Sequence, residues 1–254
     1  MDAQSRQQEA VLERFTRQAE HWGHLPVTDD LLSILDRIDV GKNDRVLDVA
    51  AGSGLLSRAL APRAREVVAV DITPAMLENA RQAASREGIT NVRFVEGEAE
   101  SLPFQDGEFD LAVTRFSLHH IADPQRAVLE MTRVVRKGGR IAIIDLLAPE
   151  DAQLASRANV LERRRDPSHA TTLSWSQLQA IVAQNRIATV DAYTQDRIRD
   201  LEDWLDLAGA AHRDELRAVF EREIEGGEAT GLQPFRDGTA IRFHHPLGVI
   251  VARK

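Results

Sequence analysis

The sequence contains no cysteine in 254 residues. That absence excludes a disulfide scaffold, thiolate zinc sites, iron–sulfur ligation and a cysteine nucleophile. Aromatic residues are scarce, with eight Phe, three Trp and one Tyr. Positive charge is in the minority: 32 Lys+Arg face 40 Asp+Glu, a net charge of −8. Few rings to stack on bases and no positive field argue against a nucleic-acid partner. The most apolar stretch, Ile141 to Ala148, is interrupted by Asp145. It falls far short of the roughly 18 residues that mark a membrane span. The opening residues MDAQSRQQEA carry no apolar signal core. The expectation is a cytoplasmic, globular protein with no stable membrane insertion, long enough to stabilise its own core. Monomer and homodimer are both open.

What is present is an alternation of strand and helix. Val11, Leu12, Phe15 and Ala19 recur at helical spacing between Met1 and about Trp22. Thr28 is a plausible N-cap for a second helix to Ile38, ahead of Gly41. Strands are expected at Arg45–Ala50, Glu66–Asp71, Asn91–Glu96, Phe109–Thr114 and Arg140–Leu147. Helices are expected at Leu55–Leu60, from Pro74 to Gly88, and over Asp123–Val135. Such alternation implies a parallel sheet with helices on both faces. Beyond Pro149 the texture changes. Residues 150–180 read as helical and charged, and strand patterns return at Ile187–Tyr193 and Ile241–Ala252. The organisation is therefore one domain: cap helices over 1–40, a core over 41–149, a helical insertion with a late strand over 150–240, and a final strand over 241–254.

The chemistry begins at the first strand–helix turn, Val46-Leu47-Asp48-Val49-Ala50-Ala51-Gly52-Ser53-Gly54. Small side chains at Ala50, Ala51, Gly52 and Gly54 let a ligand lie against the backbone. A tight turn without ligand is the alternative. Asp71 ends the second strand 17 residues beyond Gly54, a spacing at which a carboxylate accepts hydrogen bonds from ribose hydroxyls. The run Gly52-Ser53-Gly54-Leu55-Leu56-Ser57 lacks the third glycine of a nicotinamide fold, and no Gly-Lys-Ser/Thr phosphate loop occurs.

The segments VLDVAAGSG (46–54), VVAVDITPAML (67–77), VRFVEGEAESLPFQDGEFDLAVTRFSLHHIADP (92–124) and VVRKGGRIAIID (134–145) resemble, in order, the motifs of class I S-adenosylmethionine-dependent methyltransferases. More narrowly they resemble the small-molecule branch that includes the ubiquinone and menaquinone C-methyltransferases. The resemblance implies an α/β fold, a Rossmann-like doubly wound sheet of seven mostly parallel strands, with a helical lid insertion. It implies S-adenosyl-L-methionine as cofactor, S-adenosyl-L-homocysteine as product, and a small-molecule methyl acceptor, possible classes being aromatic or quinone-like metabolites, C- or O-methylated. Ala50, Ala51 and Gly52 would line the methionine end, with Asp48 supporting its ammonium. Asp71 would take the ribose, while Ile72 and Met76 would pack on adenine. Gly97-Glu98-Ala99-Glu100 matches the family's Gly-Asp-Ala-Glu, so Glu98 would receive the adenine amine and the Ala99 amide a ring nitrogen. Arg115 is a large cation where the family closes over the sulfonium, so the substrate or the cofactor's own carboxylate would be its partner. A cofactor-binding protein without methyl transfer, regulatory or pericyclase-like, would share all of these motifs.

Three histidines are candidate bases. His119 and His120 follow the fourth strand at the crevice, and His169 lies in the insertion within Asp166-Pro167-Ser168-His169. Each has a packing role as its alternative. The stretch Phe15 to Trp22 resembles the lid helix that covers the cofactor in this branch, which would bring Gln18, His21 and Trp22 to the site; simple packing by Phe15 and Trp22 is the alternative. No two-His-plus-carboxylate spacing suggests a metal site.

Overall fold

A computed structural model describes residues 3–22, 26–206 and 210–254, excluding the side chains of residues 3, 18, 20–22, 210 and 211. Two helices lead, α1 (Ala3–Trp22) and α2 (Asp29–Ile38). Thr28 caps α2, its side chain accepting the Leu31 N–H at 3.4 Å. Then follow β1 (Arg45–Val49), α3 (Leu55–Leu60), β2 (Glu66–Asp71), α4 (Pro74–Arg86), β3 (Val92–Glu96) and β4 (Phe109–Arg115). A single 3-10 turn, Leu118–His120, precedes α5 (Pro124–Val134) and β5 (Val135–Leu146). The remainder comprises α6 (Ala152–Arg165), α7 (Trp175–Gln184), β6 (Ala188–Gln195), β7 (Ile198–Asp200) and α8 (Leu201–Leu205). It closes with α9 (Ala210–Ile224), β8 (Phe235–Asp237), β9 (Ala240–His244) and β10 (Leu247–Arg253).

Seven strands form the main sheet in the order β3-β2-β1-β4-β5-β10-β6. All neighbours are parallel except β10, which runs antiparallel to both β5 and β6. The expected mostly parallel seven-stranded sheet is thus what the chain builds. Its central strands are apolar on both sides because both faces are covered. Leu47 and Val49 point into a core shared with α5 and α7, through Met131, Val128, Leu178 and Val182. Val46 points the other way, against Leu31, Leu35 and Leu60 of α2 and α3. Period-two alternation on β1 therefore feeds two cores at once.

Two sequence expectations need correction. The single strand expected at Ile241–Ala252 is two strands, β9 and β10, parted at His245-Pro246. Proline has no N–H to donate to a ladder, so the chain leaves one sheet there and joins another. The 150–240 stretch also holds more than helices and one strand. Strands β7 and β8, three residues each, flank β9 in a second, antiparallel sheet. Segments that short carry no readable alternation. A third core lies beneath them, where the Trp204, Phe220 and Phe243 rings meet at centroid distances of 5.2–5.6 Å.

Candidate functional site

The C-terminal ends of β1, β2 and β4 open into a cavity of about 470 Å³, within the range of small-molecule sites. The turn after β1 is shaped by three positive φ angles: 54° at Ala50, 53° at Gly52 and 72° at Gly54. Glycine adopts this region freely, whereas Ala50 carries a Cβ there at a cost of about 1–2 kcal/mol. Gly54 meets a second demand, since a Cβ on it would stand 2.8 Å from the Ala80 Cβ of α4. The Ala51 N–H donates to the Val70 carbonyl at 3.0 Å, tying the turn to β2.

Asp71, only 8% exposed, accepts from two backbone amides. Gly52 N–H reaches its Oδ2 at 2.7 Å and Thr73 N–H its Oδ1 at 2.8 Å. Burial pushes this carboxyl above its usual value, although both amides oppose the shift. Asp48 accepts the Ser57 hydroxyl at 2.6 Å. Burial raises its carboxyl to about 7, against the Ser57 hydrogen bond, with Asp71 adding to the rise and Arg115 opposing it.

Ile72, Met76, Glu98, Ala99 and Glu100 line the same cavity beside Asp71. Helix α1 covers this end with Gln7, Gln8, Val11 and Phe15. Gln8 Nε2 donates to Glu98 Oε2 at 3.0 Å. Gln7 Nε2 donates to the His120 carbonyl at 2.9 Å and the Ser168 carbonyl at 2.5 Å. Glu100 spends Oε1 on the Asp123 N–H at 2.9 Å, and burial raises its carboxyl.

The other end is cationic. Arg115, Arg165, Arg197 and Arg199 line it with Phe116, His119 and His120. The Phe116 ring carries two guanidinium carbons, that of Arg115 at 4.1 Å from its centroid and that of Arg197 at 5.3 Å. Burial pushes Arg115 down to about 10, with Arg197 repulsion adding to it. Arg199 falls to about 10 for the same first reason, helped by Arg165 and Arg197.

His119 stands on Asp145, with Nδ1 2.5 Å from Oδ1. Burial disfavours its charged form, but the charge and hydrogen bond of Asp145 outweigh it and hold the imidazole above 6.5. Its neighbour His120 goes the opposite way, to about 4, through burial and the adjacent His119. His120 Nδ1 lies 3.0 Å from the Ser168 carbonyl, and Phe15 packs edge-on against its ring at 5.1 Å.

Sequence reasoning placed Asp48, Ala50, Ala51, Gly52, Asp71, Ile72, Met76, Glu98, Ala99, Glu100 and Arg115 at a cofactor and His119 and His120 at the acceptor beside it, and the fold brings them to one cavity. His169 is a different matter: it is absent from the lining. It is 2% exposed, its Nε2 lies 2.8 Å from Asn159 Oδ1, and its ring centroid is 5.7 Å from that of His119. The side chains of Gln18, His21 and Trp22 fall outside the described residues. Sequence reasoning missed Gln7, Gln8, Arg197 and Arg199, and it missed Asp145 as the His119 partner. Asp145 had a signal, since a lone carboxylate interrupts the apolar run Ile141 to Ala148. Among the described residues no His/Cys/Asp/Glu group could hold a metal ion, and no helix is long and apolar enough to cross a membrane.

Residues 47–143 match the family model described as a methyltransferase domain. The protein named uncharacterized methyltransferase YcgJ, from Bacillus subtilis, is 38% identical over 201 residues, which is 79% of this chain and 79% of YcgJ. The YcgJ crystal structure aligns with a TM-score of 0.81 at 32% identity, covering 89% of this chain and 99% of that one. The ubiquinone/menaquinone biosynthesis C-methyltransferase UbiE of Idiomarina loihiensis is 38% identical over 124 residues, 47% of this chain and 49% of UbiE. The demethylmenaquinone methyltransferase of Thermus thermophilus is 41% identical over 107 residues, 41% of this chain and 48% of its own.

Proposed function

The chain belongs to the S-adenosylmethionine-dependent methyltransferases, and on that premise we propose that it methylates a small organic acceptor held beneath α1. One observation carries this reading: a single cavity of about 470 Å³ runs from the Asp71 carboxylate to the His119 imidazole. A volume of that size suits a cofactor and a small acceptor rather than a polymer.

The residues present fit the cofactor. Each Asp71 oxygen uses one acceptor site on a backbone amide and retains another for a ribose hydroxyl. Ile72 and Met76 offer apolar surface to adenine, beside the Glu98 carboxylate and the Ala99 amide. Asp48 and Arg115 bracket the turn with opposite charges, suiting the ammonium and carboxylate of a methionine moiety. The open space at Gly52, where a Cβ would meet nothing within 4 Å, leaves the backbone accessible.

When bound, S-adenosylmethionine supplies a sulfonium-activated methyl group, which asks the protein mainly for alignment. Asp145 accepts the Nδ1 proton of His119 and so leaves the Nε2 lone pair free to take a proton from an acidic acceptor position. His120, neutral at physiological pH, is suited to packing against Phe15 and holding α1 in place. That cover excludes water from the transfer site. His169 supports the wall from behind rather than meeting the acceptor.

Calorimetry with S-adenosylhomocysteine, followed by mass spectrometry of a metabolite extract methylated from labelled cofactor, tests the reading. Failure of either cofactor form to bind at millimolar concentration would end it. A labelled product of polymer size would overturn the small-acceptor part.

A further inference from the structure

The carboxylates around the cationic end are already engaged. Glu162 holds Arg165 at 2.7 and 2.9 Å, Asp145 holds His119, and Asp166 accepts from Ser168 with Arg14 at 3.5 Å. That leaves Arg115, Arg197 and Arg199, none of which has an acidic side chain at ion-pair distance among the described residues. Arg115 is placed beside Asp48 and belongs to the methionine end. Arg197 and Arg199 come from elsewhere, on the turn after β6 and on β7.

Sheet order fixes where that is. Strand β6 occupies the edge opposite β3, with β2 next to β3. Two antiparallel pairings, β5 to β10 and β10 to β6, return β6 to the direction of β1. Its C-terminal end therefore faces the same side as the ends of β1 and β2, but across the sheet from Asp71. Arg197 is exposed and Arg199 half-buried, so the surface they present is the cavity and its rim. Arginines gathered without a carboxylate at ion-pair distance repel one another, a cost that an entering anion offsets. Guanidinium forks suit a planar or tetrahedral oxyanion bidentately.

We propose that the methyl acceptor is itself an acid, and that Arg197 and Arg199 seat its carboxylate or phosphate group at the end of the cavity remote from the ribose. This rests on the methyltransferase reading and narrows it. Anchored there, the acceptor extends past Phe116 toward His119. The acid group supplies orientation, and the proton-accepting imidazole meets the other end of the molecule.

The experiment is a calorimetric titration of protein saturated with S-adenosylhomocysteine. Four probes are used: benzoate and phenyl phosphate, with benzamide and benzyl alcohol as neutral counterparts. At least one anion is expected to bind about tenfold tighter than its counterpart. Arg197→Gln combined with Arg199→Gln should erase that preference while S-adenosylhomocysteine affinity stays within about twofold, which also reports a folded variant. Equal binding of anions and neutrals, no anion binding at millimolar concentration, or a preference that survives the double substitution overturns the proposal. Loss of S-adenosylhomocysteine affinity in the variant would assign these arginines to the cofactor and overturn it too. If the unsubstituted protein does not bind S-adenosylhomocysteine at all, the underlying methyltransferase reading fails, and this inference falls with it.

Discussion

His119 and Asp145 form a buried pair in which one carboxylate oxygen serves two donors. Asp145 Oδ1 lies 2.5 Å from His119 Nδ1 and accepts the Leu146 N–H at 2.7 Å. The arrangement fixes the imidazole's tautomer and its orientation. His119 is held above 6.5, so its share of the stabilisation is complete below that value and fades as pH rises through the folded one. Burial alone would raise Asp145, but His119 pulls it below 3.8. Its share is therefore present above 3.8 and is lost as pH falls through the folded value. The pair stabilises the fold most between these limits.

The two adjacent histidines should titrate far apart. NMR of the imidazole protons should give His119 a midpoint above 6.5 and His120 one of about 4. Asp145→Asn should drop the His119 midpoint below 6.5, because burial then loses its main opponent and only the weaker pull of Glu162 remains. Two midpoints near 6.5 in the unsubstituted protein would contradict the burial and pairing described.

Asp71→Ala should weaken S-adenosylhomocysteine binding by about 1.5–3 kcal/mol, from lost charge-assisted hydrogen bonds to the ribose. The variant also frees the Gly52 and Thr73 amides. An unchanged dissociation constant in a folded variant would place the ribose partner elsewhere.

Asp48 should make cofactor affinity depend on pH. Its carboxyl titrates at about 7, and an ammonium group beside it favours the ionised form. Binding therefore releases a proton below pH 7, and S-adenosylhomocysteine affinity should fall by up to about tenfold per pH unit there. Calorimetry in two buffers of different ionisation enthalpy reads the proton directly. Asp48→Asn should flatten the profile, and a profile unaltered by that change would remove Asp48 from the methionine end.

Trp204 is fully buried, and its Nε1 donates to Glu162 Oε1 at 3.1 Å. Trp204→Ala should cost about 3–5 kcal/mol in chemical denaturation. A loss under 1 kcal/mol would mean that the third core contributes little to the fold.

The cofactor half was legible because its signals are local. Asp48, Asp71 and the glycine turn lie at strand ends, where periodicity and small residues announce the crevice within a few positions. The residues brought in from distant elements were not legible in that way. Gln7 and Gln8 come from α1, Arg197 and Arg199 from beyond β6, and Asp145 from β5. Nothing in their own neighbourhoods says that they meet, since only the crossing of the sheet joins them. His169 misled for a related reason. An Asp-Pro-Ser-His turn looks available for chemistry, yet Asn159 and a buried wall absorb it. The break at Pro246 carried a readable cue, because proline seldom continues a central ladder.

The aromatic trio of Trp204, Phe220 and Phe243 belongs to a core that shares no residue with either core of the main sheet. Arg197 and Arg199 border that third core's elements, whereas Asp48 and Asp71 rest on the main sheet. Substitutions can therefore accumulate in the former without disturbing the packing of the latter. In evolutionary terms the chain separates what must stay from what can vary. One cofactor crevice can be inherited intact while the wall facing the acceptor diversifies, so new acceptors are reached without rebuilding the methyl-donor site.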